Sequence, residues 1–239
     1  MQFLPIKTRP LLPPQDNIFE IFDEYVTDVR EWDIIFITSK VLAIHQGRCI
    51  HADRIAKKDL IEQEADKRIT TDVVPGKDIY LTLKNNILIP SAGIDESNSN
   101  GYFIMRPEDL SQLSKEIHTY FCKRFNLTDV GIVITDSTTR PLKRWVVGIG
   151  IYSYGFYPLR DERWSKDIFD RELKITQINI IDALSAMAVY LMGEGNECQP
   201  IVIGRKIPGI QYTHDDVYPQ IEIPPQQDLY YPLLKPLIE

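Results

Sequence analysis

Two short runs do most to limit what this chain can fold into. Residues 34–38 (Ile-Ile-Phe-Ile-Thr) and 130–135 (Val-Gly-Ile-Val-Ile-Thr) are apolar almost throughout and rich in β-branched side chains. A run without alternation has no polar side to turn to water, so residues 33–38 and 130–135 are read as buried strands. The first ends in Ser39-Lys40 and the second at Asp136. Helical patterns lie between and after them. Asn17 suits an N-cap, with Ile18, Ile21, Phe22, Tyr25 and Val29 at helical spacing behind it. Residues 107–125 are the clearest amphipathic helix, with Pro107 in the first turn and Leu110, Leu113, Ile117 and Phe121 as the apolar stripe. Residues 58–68 read as a polar surface helix and 182–192 as an Ala-rich one. Residues 79–83 and 87–89 flank Asn85-Asn86 as a hairpin, and Pro75-Gly76 is a turn. Residues 171–181 and 200–203 are read as strands, and 145–154 as an apolar, Gly-interrupted stretch. Proline makes residues 7–15 extended, and likewise the tail from 205 to 239. A mixed α/β (α+β) fold follows, with strand order left open. Without a repeat or linker, residues 1–239 form one domain or two intimate ones.

Charge narrows the partners. With 34 acidic and 27 basic residues, the net charge is -7, so no polycationic face is available for nucleic acid. A small anionic ligand is still compatible, because a local site can oppose the global sign. No apolar run approaches the roughly 20 residues that span a bilayer, and residues 1–7 lack the pattern of a secretory signal. Cys49, Cys122 and Cys198 are odd in number and widely spaced, matching neither a disulfide framework nor a zinc pattern. A reduced, cytoplasmic protein without membrane or nucleic-acid partners is expected. No phosphate loop, dinucleotide fingerprint, zincin motif or nucleophile elbow is present. His45, His51, His118 and His214 are scattered, and a local structural role is the plainer reading of each.

What remains is acids and polar groups at element ends. Asp95 lies in S-A-G-I-D-E-S-N, Asp136 in G-I-V-I-T-D-S-T-T-R-P, and Glu194 in M-G-E-G-N-E at a helix exit. Open α/β folds place ligand groups at such ends. If the three carboxylates met, they would repel one another, and a hard divalent ion such as Mg2+ or Mn2+ would relieve the repulsion and hold a nucleotide's phosphates. Asp in loops usually serves turns, however, so capping is the simpler reading of the pattern alone. Likewise, Lys40 after a strand, and the cluster of Arg140, Lys143 and Arg144, are more simply solvated charges, although the cluster would suit an anionic substrate.

Six segments, taken in order, carry a resemblance. They are I-I-F-I-T-S-K-V-L-A-I-H-Q-G-R (34–48), S-A-G-I-D-E-S-N (91–98), G-I-V-I-T-D-S-T-T-R-P-L-K-R (131–144), Y-G-F-Y-P-L-R-D (154–161), D-I-F-D-R-E-L (167–173) and D-A-L-S-A-M-A-V-Y-L-M-G-E-G (182–195). Together they resemble the coenzyme F420-0:gamma-glutamyl ligases, and more closely their bacterial relatives described as folate-metabolism gamma-glutamate ligases. The tail Q-D-L-Y-Y-P-L-L looks like the bacterial branch. The resemblance implies the family's own mixed-sheet fold, a homodimer, and a nucleotide–metal site in a groove near the dimer interface. It makes Asp95, Asp136, Ser137 and Glu194 metal ligands. It makes Arg9, Pro10, Leu11, Leu12, Ser39, Lys40, Asn98, Met192, Gly193, Glu194, Gly195, Asn196, Glu197, Cys198 and Gln199 nucleotide contacts.

The chain also departs from the family. Ser137 stands where many members have Thr, and Glu194 where they often have Gln. Ile44 replaces a lysine, Trp145-Val146-Val147-Gly148 replace Gly-Gln-Thr-Asp, and Asp170 replaces a glycine, which puts the turn there in question. The implied chemistry is amide formation between L-glutamate and a folate-like or F420-0 acceptor, through an acyl phosphate made with GTP or ATP. Arg140, Lys143 and Arg144 are weaker candidates for substrate carboxylates. The alternatives are a non-catalytic nucleotide-binding homologue and a metal-dependent phosphohydrolase.

Overall fold

The computed structural model describes residues 1–69, 76 and 79–238. Twelve strands are described: β1 (Gln2–Ile6), β2 (Ile34–Thr38), β3 (Cys49–His51), β4 (Lys67–Arg68), β5 (Leu81–Lys84), β6 (Ile87–Pro90), β7 (Tyr102–Ile104), β8 (Gly131–Thr139), β9 (Val146–Tyr154), β10 (Leu159–Asp161), β11 (Gln177–Asn179) and β12 (Ile201–Arg205). Six helices accompany them: α1 (Ile18–Tyr25), α2 (Ser39–His45), α3 (Lys57–Glu64), α4 (Leu110–Phe125), α5 (Ile180–Met192) and α6 (Tyr231–Ile238). The central sheet has the order β1-β12-β2-β8-β9, in which only the β2–β8 pair is parallel.

Each face of that sheet has its own core. Ile35, Ile37, Ile132, Ile134, Ile201 and Ile203 point to one side, where α1 and α4 bring Ile18, Ile21, Phe22, Leu113, Ile117 and Phe121. Ile34, Phe36, Val133 and Val202 point to the other, against Ile181, Leu184, Ala188 and Met192 of α5. Apolar positions on both sides of β2 and β8 are thus used twice over, which is why these strands show no alternation. A smaller core joins Leu60, Ile61, Tyr80, Ala92, Ile94, Phe103 and Met105 between the hairpins. No helix among the described residues is long and apolar enough to cross a membrane.

Several local readings hold. Asn17 caps α1, its side chain accepting the Phe19 amide at 3.0 Å. The hairpin turns at Asn85-Asn86, both in the left-handed region that such a tight turn requires. Asp170 takes the positive φ a glycine would supply, at +61°, so the turn geometry survives the replacement.

Other readings need correction. Helix α3 ends at Glu64 and buries Leu60 and Ile61, so its face is not wholly polar. Helix α4 starts at Leu110, leaving Pro107 outside it. Residues 171–181 are not one strand: Gln177–Asn179 forms β11, Glu172 makes an isolated bridge with Lys166, and α5 begins at Ile180. Ile175 there is 88% exposed, so the apolar spacing has no sheet face to bury it. Strand β1 was missed. It contains Pro5 and lies on the sheet edge, where a missing donor is tolerated. The tail is not extended throughout, because Tyr231–Ile238 is helical. In the Pro75-Gly76 turn, Gly76 is in a turn and Pro75 lies outside the described residues.

Candidate active site

Pairing in the central sheet brings four distant chain segments to one end. Ile6 of β1 faces Ile201 of β12, Ile201 faces Ile37 of β2, and Thr38 faces Thr135 of β8. The chain therefore leaves β1, enters β12, leaves β2 and passes through β8 at a common level. Two backbone bonds hold the segments there: Thr8 donates to the Cys198 carbonyl at 2.9 Å, and Thr38 to the Pro200 carbonyl at 3.0 Å. Between them opens a cavity of about 680 Å³, within the usual range for small-molecule sites.

The cavity gathers nearly every residue the sequence marks. Arg9, Pro10, Leu11 and Leu12 line it from the strip after β1; Ser39 and Lys40 line it from the β2–α2 junction. Asp95 and Asn98 come from the loop before β7, Asp136 and Ser137 from β8, and residues 192–199 from the exit of α5. Asp95, Asp136 and Glu194, far apart in the chain, border one space. Arg140, Lys143 and Arg144 do not line it; they are exposed in the β8–β9 connection, with Arg140 3.6 Å from Asp182. Ile44 does line the cavity, giving it an apolar side chain at the position where the resemblance leads to an expected lysine.

Local structure explains each placement. Asp136 lies inside β8, not at its end: the strand runs on to Thr139, after a register irregularity between Ile134 and Thr135. Bulges re-aim side chains, and this one precedes the two residues that face the cavity. Asp95 is held by reciprocal backbone bonds with Ile104, both 2.9 Å. Its Oδ1 accepts the Ser97 amide at 2.7 Å and hydroxyl at 2.8 Å, while Oδ2 is 2.6 Å from Lys40 Nζ. Helix α5 stops at Gly193, whose φ is +76°. With ψ of 170° as well, that backbone conformation suits glycine alone, and it lets the loop fold back. Asn98 Nδ2 then donates to the Gly195 carbonyl at 2.8 Å, joining the two loops. Arg9 pairs with Asp16 through both nitrogens, at 2.5 and 2.9 Å, and Asp16 also accepts the Leu12 amide at 3.0 Å.

Electrostatics differ among the acids. Burial pushes the Asp136 carboxyl above the ordinary range, against the pull of Arg106 and the Ser137 amide. Burial also raises Glu194, opposed by Lys40 and the Ser137 hydroxyl. Burial acts on Asp95 too, but Lys40 and Ser97 outweigh it and hold that carboxyl low. Asp136 Oδ2 is shielded and lacks a hydrogen-bond partner, which leaves lone pairs that a cation could take. Among the described residues, no three His, Cys, Asp or Glu side chains are already drawn together as a cage. The donor set is nonetheless all hard oxygen, the chemistry of Mg2+ and Mn2+. Sequence reading missed Arg106 beside Asp136, and the wall residues Thr8, Val41 and Met105. A lone arginine between Met105 and Pro107 carries no pattern that could have revealed it.

Fold and site together define an α/β protein with an acid-lined cavity at one end of a mixed sheet. Residues 6–206 match the family model described as F420-0:Gamma-glutamyl ligase. The chain is 31% identical over 216 residues to the coenzyme F420:L-glutamate ligase of Methanopyrus kandleri, covering 84% of this chain and 85% of that one. It is 32% identical over 209 residues to the protein of the same name from Methanocaldococcus jannaschii, covering 80% and 81%. The corresponding Methanosarcina mazei protein is 31% identical over 228 residues, covering 87% and 85%. This chain belongs to the F420-0:gamma-glutamyl ligase family.

Proposed function

We propose that this protein is a gamma-glutamyl ligase that joins L-glutamate in amide linkage to a cofactor-type acceptor, using a nucleoside triphosphate, GTP or ATP, and Mg2+ or Mn2+. The observation that carries this reading is the convergence of Asp95, Asp136, Ser137 and Glu194 with Lys40 on one cavity large enough for a nucleotide. The names of the relatives favour an F420-0-type acceptor; a folate-like one is the second candidate, resting on likeness to the bacterial branch.

Carboxylate and ammonium do not condense in water, so the acceptor carboxylate must be activated. Its oxygen attacks the γ-phosphorus, the nucleoside diphosphate leaves, and an acyl phosphate forms. The glutamate amine then attacks the acyl carbon, phosphate departs and the amine loses a proton. Such chemistry asks a protein mainly for positioning and charge. Asp95, Asp136, Ser137 and Glu194 would hold a divalent cation, Asp95 by releasing the Oδ2 that lies 2.6 Å from Lys40, and the cation would neutralise phosphate charge. Lys40 supplies a further cation for a phosphate, and the strip of residues 9–12, Ser39, Asn98 and the 192–199 loop enclose the nucleotide. Arg140, Lys143 and Arg144 remain candidates for substrate carboxylates only if the 140–145 connection approaches a bound acceptor. A homodimer in the cytoplasm goes with this reading; Cys49, Cys122 and Cys198 are all unpaired.

One assay tests it: phosphate release with F420-0 or folate as acceptor, with and without L-glutamate. Glutamate-dependent release supports the ligase. Release that ignores glutamate indicates a phosphohydrolase, and nucleotide binding without release a non-catalytic homologue.

A further inference from the structure

Arg106 lies just behind the wall of this cavity. It follows β7, two residues past the Ile104 that pins Asp95. Its backbone is fixed by Arg48: the Met105 amide donates to the Arg48 carbonyl at 3.0 Å, and Arg48 Nε donates to the Arg106 carbonyl at 3.2 Å. The side chain is only 2% exposed. Its stem passes beneath Gly93, a cavity residue with φ of +72°, where a Cβ would lie 2.7 Å from Arg106 Cδ and 2.8 Å from Cγ. Space and backbone conformation therefore both require glycine at 93.

The guanidinium at the end of this path is poorly served. Nη1 makes one long bond, 3.4 Å, to the Lys84 carbonyl. Nε and Nη2 have no hydrogen-bond partner among the described residues. Nε stands 3.8 Å from Asp136 Oδ2, which also has none. A guanidinium keeps its charge, and a buried charge needs an opposite one. A buried pair gains most stability by closing to hydrogen-bonding distance. Arg205 and Asp33 do so in this protein, at 2.7, 2.9 and 3.1 Å. Asp136 instead accepts the Ser137 amide on Oδ1 at 2.8 Å, with the Ser39 hydroxyl also acting on the carboxylate, and leaves Oδ2 unpartnered at hydrogen-bonding distance.

We propose that Arg106 is a positioning residue of the ligase site: from behind the wall its charge holds the Asp136 carboxylate in place without capturing Oδ2, leaving that oxygen to a divalent cation. This rests on the metal-dependent reading above. Arg106 lies outside the cavity lining and acts through Asp136, with Gly93 as the opening through which its stem reaches it.

The test is direct Mn2+ binding, read from the free-ion electron paramagnetic resonance signal, with and without nucleoside triphosphate. Arg106→Met should weaken Mn2+ binding by about tenfold or more, the usual scale for losing a group that orients a ligand. Arg106→Lys, which keeps the charge, should stay within about threefold of wild type. The Mn2+ concentration for half-maximal phosphate release should rise in the methionine variant more than the rate at saturating Mn2+ falls. If Arg106→Met does not fold, Arg106→Gln decides, because it removes the charge and keeps a hydrogen-bonding end; binding should again weaken about tenfold. Unchanged binding in the variant that folds, or lysine as weak as methionine, overturns the proposal. Wild-type protein that binds no Mn2+ under either condition overturns both this proposal and the metal reading. Mn2+ binding without glutamate-dependent release defeats the ligase reading alone.

Discussion

At the level of single residues, one carboxylate matters most. Asp136 borders the cavity with a shielded, unpartnered oxygen, so Asp136→Asn should cut glutamate-dependent phosphate release by about 10²–10³-fold, the scale for losing one charge-stabilising group. Circular dichroism should be unchanged, since the substitution is nearly isosteric; full activity at low metal would remove Asp136 from the site. Asp16 makes a different prediction. Arg9 is the main reason its carboxyl is held down to about 2. A depressed carboxyl stabilises the fold above its unfolded value of about 3.9 and loses that contribution as pH falls towards about 2. The destabilisation caused by Asp16→Asn should therefore be full above pH 4 and vanish near pH 2. Melting temperatures of both proteins across that window check the sign.

At the level of elements, helix α5 and strand β9 lie against each other through glycine. A Cβ at Gly150 would meet Ile181 Cγ2 at 1.8 Å, and one at Gly148 would meet the Ser185 carbonyl at 2.6 Å. Gly150→Ala should cost about 1–3 kcal/mol in a denaturant melt, the usual penalty for overpacking. Because α5 carries the 192–199 loop, nucleotide affinity should fall with it. Across the sheet, Arg205 of β12 reaches the 1%-exposed Asp33 at the start of β2. Arg205→Met leaves that carboxylate buried beside no guanidinium and should cost about 3–5 kcal/mol. Elements were legible where one face decided them. The stripe of α4 and the runs of β2 and β8 depend on burial that is the same wherever the core lies. Residues 171–181 misled because Leu173 and Ile175 alternate as if for a sheet face that the fold does not provide; β11 covers only Gln177–Asn179.

At the level of the whole molecule, large apolar side chains remain uncovered. Leu142, Trp145, Trp164, Ile168, Phe169, Ile175 and Tyr190 are each more than 70% exposed. Where such side chains adjoin in one patch, a partner normally covers it. Sedimentation should give a particle of about twice the 27.7 kDa chain, and a monomer at all concentrations would remove the proposed homodimer.

Sequence by itself determined the buried strands, the Asn17-capped first helix, the tight Asn85-Asn86 turn and the acids that follow the apolar runs. Each follows from interactions within a few neighbours or from burial on an unspecified face. It also showed the family, because order and spacing of motifs survive in one dimension. Only the tertiary structure decided that Ile6, Ile201, Ile37 and Thr135 share one level of a sheet, so that four distant segments enclose one cavity. It alone placed Arg106 beside Asp136 and left Arg140, Lys143 and Arg144 outside. Those relations rest on strand pairing between residues far apart in the chain, and no local preference of the residues concerned encodes which strands pair.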